Sequence, residues 1–284
     1  MASLNGQVHD SIQFRDVYLG CDEKFRSPPG DGVISETEVY DRLFLTPLRK
    51  EKGKGFRSRL GNATPVGVLG FSVSVIPLAI SFMGWQGSGG LSIATTTINI
   101  WFGGMLLILA GVGEFLLGNN FTMMVFLSYG AHFLSYATTF IPYYNAIGFF
   151  NPDGSSLGSP GTGNQTSMFM ASYAFYPAVM CILSFIFLLG SFRTNGVFVV
   201  ILLFVTTGFG LGAGSYFQLA RGNTILGTKL ATGLGACFFA SGVLGFYFFA
   251  ALVVAIMELP MPDLPLFDLS MFVKPRLRCT TKQD

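Results

Sequence analysis

The sequence predicts an all-α, polytopic membrane protein whose chain crosses the bilayer on six helices. Three observations carry that prediction. The 284-residue chain is 51% hydrophobic and only 11% charged, whereas a soluble domain usually carries about 25% charged residues. Its charges are segregated: between Leu60 and Met257 the only ones are Glu114, Asp153, Arg193, Arg221 and Lys229. Six apolar stretches fill that interval, each long enough for the roughly 20 residues that cross about 30 Å of hydrocarbon. A soluble globule could not keep so neutral a surface wet. Helices whose outer faces meet lipid tails require such a surface.

Taken in order, residues 1–60 form a polar tail that includes "SPPGDG" and ends in "LRKEKGKGFRSR". Low hydrophobicity predicts that it is largely disordered, with a short helix from Ser35 to Arg49. The six spans fall near 65–84, 96–117, 121–143, 168–190, 196–216 and 230–257. Asn62 precedes the first span and suits a helix N-cap, with Pro65 tolerated in the first turn. Pro77 inside that span predicts a kink. Gly118-Asn119-Asn120 separates spans two and three, so they form a tight antiparallel hairpin. "NPDGSSLGSPGTGNQT" after span three is a Gly-, Pro- and Ser-rich loop in water. Residues 61–258 thus make one transmembrane domain, and 259–284 a polar, Pro-rich tail.

Basic residues set the orientation, because cytoplasmic flanks carry the excess of Lys and Arg. Arg49, Lys50, Lys52, Lys54, Arg57 and Arg59 precede span one; Lys274, Arg276, Arg278 and Lys282 follow span six. Both termini are then cytoplasmic, as an even number of crossings permits. Arg193 agrees, while Arg221 and Lys229 fall outside and dissent. Asn164-Gln165-Thr166 is a glycosylation sequon in the loop placed outside. The four cysteines show no metal-ligand spacing, and Cys181 and Cys237 read as small buried hydrophobes. The net charge of +2 averages ionic tails with a neutral middle, so it gives no sign of a nucleic-acid partner.

Polar side chains inside spans are costly and usually face the bundle interior or water. Glu114 is the only acid in any span, one turn before the hairpin. It reads either as a relay for a proton or solute, or as a structural anchor for the turn or a subunit contact. His132, the only histidine in a span, reads either as a pH-sensitive group or as a hydrogen-bonding link between helices. The amides and dipole at the Asn62 helix start attract anions, and an ordinary cap reads equally well. Gly103, Gly104, Gly111 and Gly113 in span two, and Gly208, Gly210, Gly212 and Gly214 in span five, let helices approach closely. "GFGLGAG" neither follows a strand nor opens a helix, so it is not a nucleotide loop. No catalytic set, metal cluster, cofactor motif or ATP-binding loop is present in the sequence. That argues against an enzyme or an ATP-driven pump.

At "NATPVGVLGF", "FGGMLLILAGVGEF", "GNNFTMMVFLSYGAHFLS" and "LPLFDLS" the chain resembles the acetate uptake transporter family, the six-span acetate and succinate permeases of bacteria and fungi. The resemblance covers roughly residues 60–270 and is strongest from Phe102 to Ser135. It implies a six-helix protomer, a solute path through each protomer and assembly as a hexamer. It also implies a hydrophobic constriction whose Phe maps onto Phe71, whose Tyr maps onto Tyr129 and whose Leu falls near Val205. Of the family's first-span motif the chain keeps Asn62, Pro65 and Gly67, and it departs at Ala63, where a Pro is usual. Leu107 stands where many members carry Gln, and His132-Phe133 replaces an aromatic pair. Polar N-terminal tails of this length are typical of fungal members, which implies a fungal plasma membrane.

The function expected is passage of acetate and related short monocarboxylates, with or without proton coupling. The alternatives are ammonium or ammonia export, and a structural or sensing membrane protein of the same fold.

Overall fold

The computed structural model describes residues 60–144, 146, 148–150, 167–262 and 264–269. The readings made above for the N-terminal tail, for the basic clusters in both tails and for Asn164 lie outside the described residues.

Among the described residues six helices reach membrane-crossing length: α1 (Thr64–Met83), α2 (Ser92–Leu117), α3 (Asn120–Thr139), α4 (Ser167–Ser191), α5 (Gly196–Ala220) and α6 (Thr224–Met257). Five are apolar throughout. The sixth, α3, is less apolar because it carries Ser128, Tyr129, His132, Ser135 and Tyr136 in its middle.

Local sequence explains where these helices begin and end. The Gly118 N–H bonds the Glu114 and Phe115 carbonyls at φ 77°, and Asn119 N–H bonds Glu114 O at 2.9 Å. Glycine reaches that left-handed geometry without penalty, so the α2–α3 hairpin forms as expected. Helix α3 stops at Thr139, short of the expected 143, because Pro142 disfavours helical geometry just before itself. A single 3-10 turn follows at Pro142–Tyr144. Helix α6 starts at Thr224, earlier than 230, because the Asn223 side chain accepts the Leu226 N–H and caps it. Lys229 therefore rides on the helix, where its long stem can reach for the interface. Helix α4 is two segments, Ser167–Tyr173 and Phe175–Ser191. Pro177 has no N–H to offer the Tyr173 carbonyl, and the break falls at that step. Pro77, by contrast, sits within an uninterrupted α1. In α2, Asn99–Leu106 is a π-helix.

Neighbouring helices pack together, and α6 closes back onto α1. Glycines set the closest contacts. A Cβ at Gly70 of α1 would lie 2.6 Å from the Phe102 carbonyl oxygen of α2, and one at Gly235 of α6 would lie 2.8 Å from Ala79 O of α1. Gly242 and Gly245 receive Ile76 and Ser72 in the same way, while Gly208 receives the Phe238 ring. Gly103, Gly104 and Gly111 lie beneath Phe133, Leu134 and Leu127 of α3. Both glycine sets singled out in the sequence therefore serve helix contacts. Only α3 meets α4 and α5 chiefly through side chains. Phe121 edges onto Phe187 and Phe198 at 6.3 and 6.2 Å, and His132 onto Phe209 at 4.9 Å.

Gly70→Ala is expected to destabilise the bundle by about 2 kcal/mol, because the new methyl meets rigid backbone. Gly214→Ala, whose Cβ would lie 3.5 Å from a Leu230 methyl, is expected to stay within about 0.5 kcal/mol of wild type. Thermal unfolding in detergent measures both, and equal loss in the two variants would refute this account of the α1–α2 contact.

Candidate functional site

Three cavities follow one another along the bundle axis. The first is a vestibule at the end where α1, α3 and α5 begin. It encloses about 270 Å3, partly open, between Thr64, Asn119, Asn120, Thr122, Arg193 and Thr194, with Phe126, Phe198 and Phe248 among its other walls. Those three phenylalanines also border the second, middle cavity of about 30 Å3. The third is a chamber of about 40 Å3 near the opposite end, lined by His132, Tyr136, Tyr173, Tyr176 and Tyr216 with Phe209, Phe238 and others. Helix α1 contributes to all three, from Thr64 to Phe82, a run of about 27 Å at about 1.5 Å per residue.

Phe71, Tyr129 and Val205, which come from three separate helices, all line the middle cavity. Val68, Leu107, Val125, Ile201 and Leu202 complete its apolar wall. At about 30 Å3 it is as small as the chamber beyond it, and both are narrow beside the vestibule. The Tyr129 hydroxyl donates to Ser184 Oγ at 2.9 Å, which turns it onto α4. Leu107 is buried against the same space, so the departure noted in the sequence makes the middle cavity greasier.

The first-span motif shapes the vestibule. Asn62 Oδ1 accepts the Thr64 N–H at 3.0 Å, although the helix cap itself is Ala63, one residue later than the spacing suggested. Pro65 sits in the first turn of α1. A Cβ on Gly67 would strike the Phe126 ring at 2.5 Å, so Gly67 makes room for a wall shared by vestibule and middle cavity. Glu114 is fully buried. Its Oε1 accepts from the Thr64 hydroxyl and its Oε2 from Asn119 Nδ2 at 2.6 Å. Thr64 and Asn119 face the vestibule and Glu114 stands behind them. His132 Nδ1 lies 2.8 Å from the Tyr176 hydroxyl, and the two rings stack at 5.5 Å. The Tyr216 hydroxyl is buried with no hydrogen-bond partner among the described residues.

Sequence reasoning did not find Thr64, Ser184 or the Tyr173–Tyr176–Tyr216 group. Ser184 could have been noticed as a lone hydroxyl in "CILSFIFLLG", since such groups in spans seek partners. Tyr173 and Tyr176 stand three residues apart in α4, a helical spacing that could have paired them, whereas Tyr216 comes from α5 and no spacing joins it to them. Among the described residues lining the three cavities there is no carboxylate, and Arg193 is the only charge.

Membrane-length apolar helices packed around internal cavities define a polytopic helical membrane protein. The chain belongs to the GPR1/FUN34/yaaH family, whose profile matches residues 47–265. Protein alcS of Aspergillus fumigatus is 36% identical over 246 residues, covering 87% of this chain and 89% of that protein. The succinate-acetate/proton symporter SatP of Escherichia coli K12 is 33% identical over 78 residues, 28% of this chain and 40% of SatP. The solved structure of the bacterial acetate channel SatP matches with a TM-score of 0.55 at 21% identity. It covers 73% of this chain and 99% of that one, and shows a shared fold.

Glu114→Ala strands the buried Thr64 hydroxyl and frees the half-buried Asn119 amide, and is expected to cost about 1–3 kcal/mol. Glu114→Gln keeps an acceptor for one of them and is expected to cost about half as much. Thermal unfolding of the purified variants checks the order. A Glu114→Ala protein as stable as wild type would show that the carboxylate anchors nothing.

Proposed function

We propose that the chain passes acetate and related short-chain monocarboxylates across the membrane, one path through each protomer. The observation that carries this reading is the series of cavities, with Phe71, Tyr129 and Val205 brought together on the small, apolar middle one. The relatives named for acetate supply the solute class. A carboxylate is expensive to bury in an apolar throat. A short acid suits such a passage because its methyl end tolerates the greasy middle cavity while its polar end finds donors at either side. Entry as the protonated acid would remove the charge altogether.

The remaining site roles belong to the same proposal. Phe71, Tyr129 and Val205 act as the constriction; Asn62, Pro65 and Gly67 shape the mouth. Glu114 anchors the hairpin to the start of α1, a role its two hydrogen bonds favour over a relay. His132 links α3 to α4 through Tyr176. Residues 61–258 constitute the transporting domain, flanked by cytoplasmic tails at 1–60 and 259–284. Arg193 at the end where α1 begins supports that orientation, and the family resemblance supports a plasma-membrane hexamer. Ammonium export is less favoured, since no carboxylate among the described residues lining the cavities would hold a cation, and the relatives named for a solute are named for acetate.

Radiolabelled acetate uptake into proteoliposomes, with and without a pH gradient, is the test. Wild type is expected to take up acetate above empty vesicles, and the gradient separates proton-coupled from channel-like entry. Tyr129→Ala is expected to raise butyrate uptake severalfold relative to acetate, because the ring that narrows the middle cavity is gone. Unchanged rates and selectivity would remove Tyr129 from the path. A protein that carries ammonia but neither passes acetate nor is inhibited by it would overturn the assignment.

A further inference from the structure

We propose that Arg193 is a carboxylate-capture residue in the vestibule, working with the Asn120 amide and the Thr122 hydroxyl to draw an anionic acid out of water before it meets the middle cavity. This inference rests on the transport reading above and names the group that recognises the solute's charged end. Arg193 is the only charged side chain among the described residues lining any of the three cavities. No ion pair engages it among those residues, and neither Asn120 nor Thr122 commits its side chain to a hydrogen bond there. A guanidinium presents donors in a planar fork that matches a carboxylate.

The mount of Arg193 is built rather than loose. The turn that follows it is clamped by the chain beyond α6. Gly196 N–H bonds the Leu266 and Phe267 carbonyls at 3.0 and 2.7 Å, and Leu269 N–H bonds the Thr194 carbonyl at 3.0 Å. Asn195 and Asp268 pair as an antiparallel bridge. Thr194 folds its own N–H and hydroxyl onto the Ser191 carbonyl at 2.8 and 2.7 Å. Leu266 is buried beneath this clasp. The braced turn fixes the point from which the exposed Arg193 side chain reaches, so only the side chain has to be ordered when an anion arrives. Three helix N-termini, those of α1, α3 and α5, open at the same end and add positive potential there.

The experiment uses purified full-length protein and two readouts: saturation-transfer NMR of the acetate methyl group, and initial acetate uptake into proteoliposomes over a range of acetate and salt concentrations. Losing one charge-assisted contact is expected to raise the half-saturation concentration about tenfold in Arg193→Gln, with a much smaller change in maximal rate. Arg193→Lys keeps the charge and is expected to lie near wild type. Asn120→Asp puts a negative charge at the mouth and is expected to resemble Arg193→Gln. Added salt should weaken acetate uptake by wild type and barely affect Arg193→Gln, because screening acts on the charge. If Arg193→Gln folds, by its size-exclusion profile, and keeps wild-type half-saturation and salt response, the proposal fails. If it does not fold, Asn120→Asp at wild-type half-saturation overturns it. Wild type that binds acetate but does not pass it would refute the transport reading alone. Wild type with no acetate signal by NMR would refute the capture site.

Discussion

The Glu114 carboxylate is the interaction on which the rest of this structure depends. It is a full charge or a buried acid in a bundle with almost no others, and it spends both oxygens on the start of α1 and the α2–α3 turn. That tie fixes how far along the axis α1 sits relative to α3. The same axial setting brings Phe71 of α1 level with Tyr129 of α3, two turns further in. A slip of one helical turn, about 5.4 Å, would separate the two rings and merge or close the cavities. Gly113 assists from the next position, where a side chain would meet Ala63.

Around that fixed point the bundle has two kinds of seam. Helices α1, α5 and α6 are joined at glycines, with backbone against backbone at Gly235 and Ala79 and with side chains seated on glycine between α5 and α6. Helix α3 faces α4 and α5 across aromatic rings, the Tyr129–Ser184 bond and the His132–Tyr176 bond. Rings can change rotamer without breaking helical hydrogen bonds, whereas glycine contacts cannot loosen without moving whole helices. The cavities border both seams, so the proposed path has adjustable rings on one side and closely packed helices on the other.

Most of the architecture was legible in the sequence because lipid leaves few choices: a long neutral stretch must be a helix. Six crossings, the hairpin at Gly118 and the helix-contact role of the glycines all followed from that constraint. Helix ends were less legible because they turn on single residues, such as Pro142 stopping α3 and Asn223 starting α6 early. The convergence of Phe71, Tyr129 and Val205 came from the family resemblance and not from spacing, since residues so far apart carry no shared period. Glu114 was recognisable as an oddity, but its partners were not, because Thr64 lies 50 residues away. The full tyrosine chamber was invisible for the same reason: Tyr216 of α5 looks like an ordinary interfacial aromatic until the fold assembles it with the α4 pair.

The π-helical stretch at Asn99–Leu106 has a consequence for α2 as a mechanical object. Wider turns there hold more residues than the flanking α-helix, and one surplus residue rotates everything on one side by about 100° relative to the other. It is a dislocation in an otherwise regular rod. Asn99, at its leading edge, is sealed from solvent with neither side-chain amide atom hydrogen-bonded among the described residues. Phe102 against Gly70, and Gly103 and Gly104 beneath Phe133 and Leu134, pin the stretch where it lies, so the offset between the two halves of α2 is a fixed part of its shape.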